Sequence, residues 1–304
     1  MMGKAIQDIA PGIACLPVYI VNVYFVGEPG QPWVVVDTGT PGSTRKILAA
    51  AEARYGKDAR PQAILLTHGH TDHVGCAAAL ADFWNVPIYA HPLELPYLTS
   101  KSKYPPKDPT VGGAMALMSR VFPMNMTNLD TWVESLPEGG AVPFLTEWEW
   151  FWTPGHTPGH VAYFRKSDRA LLAGDAFATV NSASFRALLT QKPEISLPAA
   201  SFTCDWQAAD ESVQLLAGLH PSVIACGHGV PISAPTLPDD LNRFADNFTP
   251  PAHGRYAGSP ARTNKNGIVS VPPPVPDPFP RQTTVIAGAA MLLAGAIALA
   301  RRRQ

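Results

Sequence analysis

Three histidines and an aspartate crowd into HGHTDH, residues 68–73, directly after the apolar run AILL. His68 and His70 stand two apart at the end of a predicted strand, so their rings can reach one side and share an ion. Asp72 and His73 open a predicted helix, where adjacent side chains diverge by about 100° and can serve a second ion. A helical metalloprotease would need histidines at i and i+4, and this spacing differs. The stretch therefore predicts half of a two-metal site.

Three later loops, each after a short apolar run, offer the remaining ligands. They contain His156 in TPGHTPGH, Asp175 in LLAGDAF and His228 in ACGHG. Together with the first cluster they supply imidazoles for two ions and a carboxylate that could bridge them. Each metal would then have about four ligands, counting a shared hydroxide.

These motifs, in this order, resemble those of the metallo-β-lactamase-fold hydrolase superfamily. The H-x-H-x-D-H motif, the downstream His, Asp and His, and the early VVVDTG segment all match, over roughly residues 10–256. The resemblance implies an α/β fold of four αββα layers, with two mixed β-sheets sandwiched between helices. It also implies a metal cofactor, with two Zn²⁺ ions per chain expected and iron or manganese as alternatives.

The resemblance further implies a role for each ligand. It places one ion on three histidines: His68, His70 and His156. It places the second ion on Asp72, His73 and His228, with Asp175 bridging the two ions. Asp72 would also be the catalytic residue that shuttles a proton to the leaving group.

Two residues are predicted to support the ligands. Asp37 is expected to accept a hydrogen bond from a ligand histidine or to buttress the loop at residue 68. The alternative interpretation of its D-T-G tripeptide is an aspartic protease. That chemistry needs two facing carboxylates, and this sequence contains the tripeptide only once.

His160, the second histidine of HTPGH, is expected to be structural or to lie behind the ligands. His91, His220 and His253 are expected outside the ligand set, although His253 could line the mouth of the site.

Periodicity indicates the elements that must position these residues. Residues 33–90 predict strand, helix, strand, helix, strand, with one helix stopping at Gly56 and the next beginning at Asp72. Residues 95–128 break this rhythm with prolines and four methionines, which predicts either a pocket cover or a helical hairpin in the core. Residues 179–206 form a second irregular insertion.

Composition excludes some classes of partner. The formal charge of -1 comes from 23 basic and 24 acidic residues without long blocks, which argues against a nucleic acid. A small-molecule substrate is the expected partner, and the oligomeric state is open. Four widely spaced cysteines and a start without a secretory leader predict reduced thiols in a cytosol-like compartment.

The C-terminal composition predicts a different organisation from residue 257 onward. Residues 1–256 are expected to form the catalytic domain, 257–282 a proline-rich linker, 283–300 a transmembrane helix and 301–304 an arginine-rich tail. A helix of 18 residues would span about 27 Å, close to the thickness of a bilayer core. We therefore expect a membrane-associated protein with its catalytic domain on the cytoplasmic side. A bacterial sorting signal is the alternative for this segment.

The predicted function follows from the predicted site. It is a dinuclear metal-dependent hydrolase whose bridging hydroxide attacks a small ester, thioester or lactone. One alternative is a mononuclear iron-dependent persulfide dioxygenase, for which the metal must be redox-active. A second alternative is a non-catalytic, membrane-tethered metal-binding domain.

Overall fold

The computed structural model describes residues 6–122 and 127–277. The strands in these ranges are β1 (Gln7–Ala10), β2 (Ile13–Val18), β3 (Val21–Val26), β4 (Val34–Val36), β5 (Ile64–Leu65), β6 (Ile88–Ala90), β7 (Val133–Ser135), β8 (Ala141–Val142), β9 (Leu145–Trp152), β10 (Val161–Arg165), β11 (Ala170–Gly174), β12 (Val223–Cys226), β13 (Arg262–Asn264) and β14 (Gly267–Ser270). The α-helices are α1 (Thr44–Tyr55), α2 (Thr71–Val74), α3 (Ala77–Trp84), α4 (Leu95–Leu98), α5 (Gly113–Ser119), α6 (Phe185–Thr190), α7 (Trp206–Gly218) and α8 (Leu237–Asp246), and two 3₁₀ turns lie at Glu138–Gly140 and Ala200–Phe202.

The first sheet has seven strands in the order β1 to β7. Strands β1 to β4 pair antiparallel, whereas β4 to β7 pair parallel. Parallel neighbours need a crossover connection, which α1 supplies between β4 and β5, and α2 with α3 between β5 and β6. The strand and helix alternation predicted for residues 33–90 is therefore observed.

The second sheet has five strands in the order β12–β11–β10–β9–β8. Strand β10 pairs antiparallel with both β9 and β11, and β11 pairs parallel with β12. Strands β9, β11 and β12 consequently run in one direction and end at the same edge of the sheet.

Successive side chains of a strand pack into different hydrophobic clusters, and these clusters define the layers of the fold. In β3, Phe25 packs in the cluster that contains helix residues of α1 and α3, whereas Tyr24 packs in the cluster shared by the two sheets. In β10, Tyr163 joins the inter-sheet cluster and Phe164 the cluster that contains α7 and α8. Successive side chains of a strand point to opposite faces, so each sheet is covered on both sides. The result is the αββα sandwich.

The predicted helix from Asp72 is divided into α2 and α3. The division falls at Gly75 and Cys76: Cys76 leaves the helical conformation, with φ of −115° and ψ of 5°, and Gly75 lies where the chain passes against the Thr40–Pro41 segment. A Cβ on Gly75 would lie 2.3 Å from the backbone nitrogen of Pro41. Helical periodicity does not reveal this contact because it joins segments far apart in sequence.

The prediction of a membrane-spanning helix is corrected by the structure. Among residues 6–122 and 127–277, no helix combines the length and apolar character needed to cross a bilayer. The longest, α7, has 13 residues and spans about 20 Å, short of a hydrocarbon core of about 30 Å. The fold prediction is therefore wrong in including such a helix, and the membrane location based on it is withdrawn. The predicted span, residues 283–300, lies outside the described residues.

Part of the range predicted as a linker forms regular structure. Strands β13 and β14 pair as an antiparallel hairpin. The backbone N–H of Ile268 donates a hydrogen bond to Ser102 Oγ at 3.2 Å. This hairpin therefore lies against the insertion that follows β6.

Candidate metal centre

The predicted ligands all follow the carboxyl ends of strands. The loop after β5 carries His68 and His70, and α2 carries the next pair. In the second sheet, the loops after β9, β11 and β12 carry one ligand each. The fold brings together all seven: His68, His70, Asp72, His73, His156, Asp175 and His228.

The first group consists of three buried histidines. His68 Nε2 lies 3.1 Å from His70 Nδ1. His70 Nδ1 in turn lies 3.0 Å from His156 Nε2. Ligand atoms from all three residues lie within 4.8 Å of one another, so one ion could contact them together.

The second group consists of Asp72, His73 and His228, whose ligand atoms also lie within 4.8 Å of one another. His228 Nε2 lies 3.3 Å from Asp72 Oδ2. The Asp72 side chain retains 32% of its exposure, whereas that of His73 is fully buried. Asp72 is therefore the member of this group that solvent or a bound molecule can reach most easily.

Asp175 lies between the two groups. Its Oδ2 atom is 3.4 Å from His156 Nε2 in the first group. The same oxygen is 3.2 Å from His228 Nε2 and 3.6 Å from His73 Nε2 in the second. One carboxylate oxygen thus reaches both groups, as a bridging ligand must.

These separations fit the dimensions of transition-metal sites. Two atoms that each lie about 2.0–2.1 Å from one ion, at a tetrahedral angle, are about 3.3 Å apart. In addition, His73 Nε2 and Asp175 Oδ1 are buried without a hydrogen-bond partner among the described residues. Imidazole and carboxylate donors in this arrangement suit zinc, iron or manganese.

The hydrogen bonds behind the rings determine which nitrogen faces the centre. Thr67 Oγ1 donates its only proton to Asp37 Oδ2 at 2.8 Å, so toward His68 Nδ1, 3.0 Å away, it can act only as an acceptor. His68 Nδ1 therefore carries the proton, and its Nε2 presents a lone pair to the centre. Fixing a ligand in this way is typical of protein metal sites.

Three more histidines are oriented by the same principle. His73 Nδ1 donates to Asp37 Oδ2 at 2.7 Å, and His228 Nδ1 donates to the carbonyl oxygen of Ile20 at 2.7 Å. His156 Nδ1 lies 3.2 Å from Thr203 Oγ1, which donates its own proton to a backbone carbonyl. Each ring consequently directs the Nε2 lone pair toward the centre. Asp37 thus lies between the start of the histidine loop and the His73 ring.

His160 differs from the ligand histidines because its lone pair is already engaged. Its Nε2 accepts a hydrogen bond from the backbone N–H of Asp175 at 2.8 Å, and its Nδ1 lies 2.8 Å from Thr153 Oγ1. Burial lowers the pKa of His160 to about 3, which keeps the ring neutral. His160 therefore positions the backbone of Asp175 and does not offer a lone pair to an ion.

The electrostatics of the centre suit cation binding. Burial, helped by neighbouring imidazoles, lowers the pKa values of His68 and His156 well below the ordinary range, so both rings are neutral at pH 7. Burial likewise lowers the pKa of His70 to about 4. For His73, burial also lowers the pKa, but the carboxylate of Asp175 and its neighbours outweigh burial and raise the pKa to about 10. A proton and a divalent ion compete for such a ring, since either balances the carboxylates.

Glu94 is a site residue that sequence analysis did not identify. Its carboxylate is fully buried and accepts hydrogen bonds from the N–H of Gly69 at 2.9 Å and from the N–H of Gly159 at 2.8 Å. It also accepts from the hydroxyl groups of Thr157 and Tyr104. Glu94 thereby joins the loop of the first histidines to the loop of His156. The signal in the sequence is only a lone glutamate within the apolar stretch HPLELPYL.

A cavity of about 1000 Å³ lies over the centre. Its floor includes His70, Asp72, His156, Asp175 and His228. Its wall is largely apolar and aromatic and includes Ile20, Tyr97, Tyr104, Met115, Phe122 and Phe202. Cavities of this size accommodate organic molecules much larger than a two-carbon ester.

The two insertions supply most of this wall. Met115, on α5, is buried and lines the cavity, which supports the predicted pocket cover over the alternative of a core hairpin. Phe202 comes from the second insertion. Met124 and Met126 lie outside the described residues.

The remaining histidines are not among the residues that line the cavity. His91 stacks on Trp152 with ring planes 2° apart, and His220 and His253 lie at the surface. His253 therefore does not contribute to the mouth of the site. The four cysteines are all buried and form no disulfide bond.

Comparison with known proteins agrees with this geometry. The family model of the metallo-beta-lactamase superfamily matches residues 16–228. The chain is 42% identical over 245 residues to the probable metallo-hydrolase YflN of Bacillus subtilis (strain 168), and the match covers 80% of this chain and 93% of that protein. It is 32% identical over 209 residues to the probable metallo-hydrolase YybB of the same organism, covering 69% of this chain and 80% of that protein.

Among solved structures, the fold is similar to that of the metallo-beta-lactamase family protein TTHA1429 from Thermus thermophilus. The TM-score is 0.52 at 24% sequence identity, and the match covers 79% of this chain and 80% of that chain. At this identity the likeness shows the fold alone. The family model and the similarity to YflN go further: the chain belongs to the metallo-beta-lactamase superfamily.

Proposed function

We propose that the protein is a hydrolase that uses two divalent metal ions to cleave a small ester, thioester or lactone. The observation that carries the proposal is the position of Asp175, whose Oδ2 lies within 3.6 Å of ring nitrogens from both ligand groups. A carboxylate shared in this way gives two ions one common ligand. Zinc is the proposed metal because imidazole and carboxylate donors suit it and hydrolysis requires a Lewis acid, not a redox-active metal.

Under this proposal, each part of the site has a distinct task. Bound divalent ions supply Lewis-acid chemistry, which activates water and polarises a carbonyl group. His68, His70 and His156 would hold the first ion, Asp72, His73 and His228 would hold the second, and Asp175 would contact both. Asp72 lines the cavity and keeps part of its exposure, so its carboxylate can accept a proton and pass it to the leaving group. The apolar wall excludes water from the rest of the substrate.

The test combines metal content with turnover of the full-length chain. We expect about two metal ions per chain and hydrolysis of aryl esters, thioesters or lactones that EDTA abolishes and added metal restores. Asp175→Asn should lower metal content and reduce kcat/KM by at least about 100-fold, because both ions lose their common ligand. Circular dichroism should remain unchanged.

Asp239→Asn provides the matched control, since Asp239 is exposed on α8. It should leave metal content and turnover unchanged. Unaltered turnover in Asp175→Asn would refute the proposal. About one iron per chain, with oxygen consumption in the presence of a persulfide, would instead establish the dioxygenase.

A further inference from the structure

The cavity wall carries two positive charges on one segment. Lys103 and Lys107 follow α4 and both line the cavity. Among the described residues that line it, the other charged side chains outside the histidine set are the carboxylates of Asp72 and Asp175, which belong to the metal centre. The wall itself therefore presents a net positive field to a molecule bound over the centre.

Neither ammonium group forms an ion pair within the part of the chain that the structure describes. Among residues 6–122 and 127–277, no carboxylate lies within 4.0 Å of Lys103 Nζ or Lys107 Nζ. Lys107 Nζ donates to the backbone carbonyl oxygen of Phe122, and Lys103 is exposed. Both side chains can thus pair with an anionic group on a ligand without giving up an ion pair.

A second polar feature of the wall also lacks a partner. Tyr97 lines the cavity with 3% of its surface exposed, and its hydroxyl group has no hydrogen-bond partner among the described residues. Tyr97 stacks on Tyr104 with ring centroids 4.2 Å apart, so the hydroxyl belongs to a well-packed wall.

We propose that the pocket selects amphiphilic acyl substrates: the carbonyl group lies over the metal centre, an apolar chain or ring packs on the aromatic wall, and a remote carboxylate pairs with Lys103 and Lys107. This inference rests on the proposed function for the position of the carbonyl group. The charge preference itself does not require hydrolysis, so binding and turnover can be tested separately.

The binding test uses two inert ligands that differ in charge, 6-phenoxyhexanoate and 6-phenoxyhexan-1-ol. By titration calorimetry, the metal-loaded protein should bind the carboxylate about 5- to 10-fold more tightly than the alcohol, because partly exposed ion pairs contribute modestly. Lys103→Ala combined with Lys107→Met should abolish this preference. Lys101→Ala should retain it, because Lys101 is an exposed neighbour that does not line the cavity.

Two outcomes would overturn the inference. One is equal affinity of the wild-type protein for both ligands. The other is a preference that survives loss of both lysines, which would mean that the carboxylate binds the metal ions instead. Lys103→Glu alone, at an exposed position, leaves one positive and one negative charge on the wall, so it should also remove the preference and guards against misfolding of the double variant.

Turnover distinguishes failure of this inference from failure of the proposed function. The substrates are mono-4-nitrophenyl adipate and 4-nitrophenyl hexanoate, which differ in a terminal carboxylate. We expect a higher kcat/KM for the adipate ester through a lower KM, and a decline of that advantage with rising salt. Hydrolysis of both esters without a lysine-dependent difference refutes the inference alone. Lysine-dependent binding of phenoxyhexanoate, with no hydrolysis of esters, thioesters or lactones by the metal-loaded protein, supports the charge preference and refutes the hydrolase.

Discussion

Asp37 Oδ2 lies 2.7 Å from His73 Nδ1, and this contact determines which ring nitrogen of His73 faces the metal centre. The other carboxylate oxygen accepts the backbone N–H of Thr67 at 2.9 Å. Asp37 has a left-handed backbone conformation, with φ of 60°, which is uncommon outside glycine and better tolerated by aspartate than by most residues. One aspartate therefore supports both the start of the histidine loop and a ligand on α2.

Replacing Asp37 by asparagine tests this support. The amide has one acceptor oxygen in place of two, so its NH₂ group would face either the backbone N–H of Thr67, which is a donor, or both Thr67 Oγ1 and His73 Nδ1, where it would favour the wrong tautomer of the ring. We expect metal affinity or kcat/KM to fall about 10- to 100-fold while the fold persists. Competition with a chromogenic chelator gives the affinity. A change of less than about twofold, equal to that of Asp239→Asn, would contradict this role.

Glu94→Gln tests the link between the two ligand loops. All four groups that approach Glu94 are donors, so an amide NH₂ would meet a donor and leave a buried group unsatisfied. The expected loss is about 1–3 kcal/mol in the free energy of unfolding, measured by urea denaturation. Glu147→Gln, at an exposed position on β9, is the control and should change stability little. Equal midpoints for both variants would argue against the link.

Gly174→Ala tests the packing behind Asp175. Gly174 has φ of +53°, and a Cβ there would lie 2.5 Å from His160 Nε2, the atom that accepts the Asp175 N–H. Backbone strain and overpacking together should cost about 2–4 kcal/mol and lower metal content. Calorimetry and elemental analysis provide the measurements. Gly258→Ala, where a Cβ meets no atom within 4 Å, should resemble the wild type.

His91 predicts a pH dependence of stability away from the centre. Burial lowers its pKa from 6.5 to about 4, so the unfolded chain binds more protons between these values. Stability from this group is therefore complete above pH 6.5 and is lost as the pH falls toward 4. Partial solvent access reduces the effect. When the pH is lowered from about 7.5 to about 5, the free energy of unfolding of the wild type should therefore fall by about 1 kcal/mol more than that of His91→Gln.

Urea denaturation at the two pH values measures that difference. His253→Gln, at an exposed position, serves as the control and should show the acid sensitivity of the wild type. Identical acid sensitivity in His91→Gln and His253→Gln would show that His91 does not contribute.

The sequence predicted those parts of the site whose residues lie close together along the chain. His68, His70, Asp72 and His73 follow one strand, and their spacing is sufficient to predict that they share one site. The role of Glu94 could not be predicted in this way, because its partners Gly69 and Gly159 are 25 and 65 residues away. The same limit applies to the division between α2 and α3 at Gly75. Helix propensity depends on the local sequence, so it does not reveal a contact with a segment that is distant along the chain.

The charge of the cavity wall was also beyond prediction. Nothing in the sequence distinguishes Lys103 and Lys107 among its 23 basic residues, and only the course of the insertion brings them to the cavity. A ligand motif can be recognised in a sequence because metal coordination requires particular residue types at particular spacings. Substrate contacts have no such fixed spacing.

The separation of cavity floor from cavity wall has a consequence for how this protein can diverge. The segment 95–122 contributes wall residues and none of the seven predicted ligands. An evolutionary exchange of that segment for another could therefore change the molecule that the cavity accepts while leaving the candidate metal centre intact. Tyr104 is the constraint on such exchange, because its hydroxyl group bonds Glu94 and so connects the replaceable wall to the loops that hold the ligands. A donor at this position is the feature that a grafted segment would need to keep.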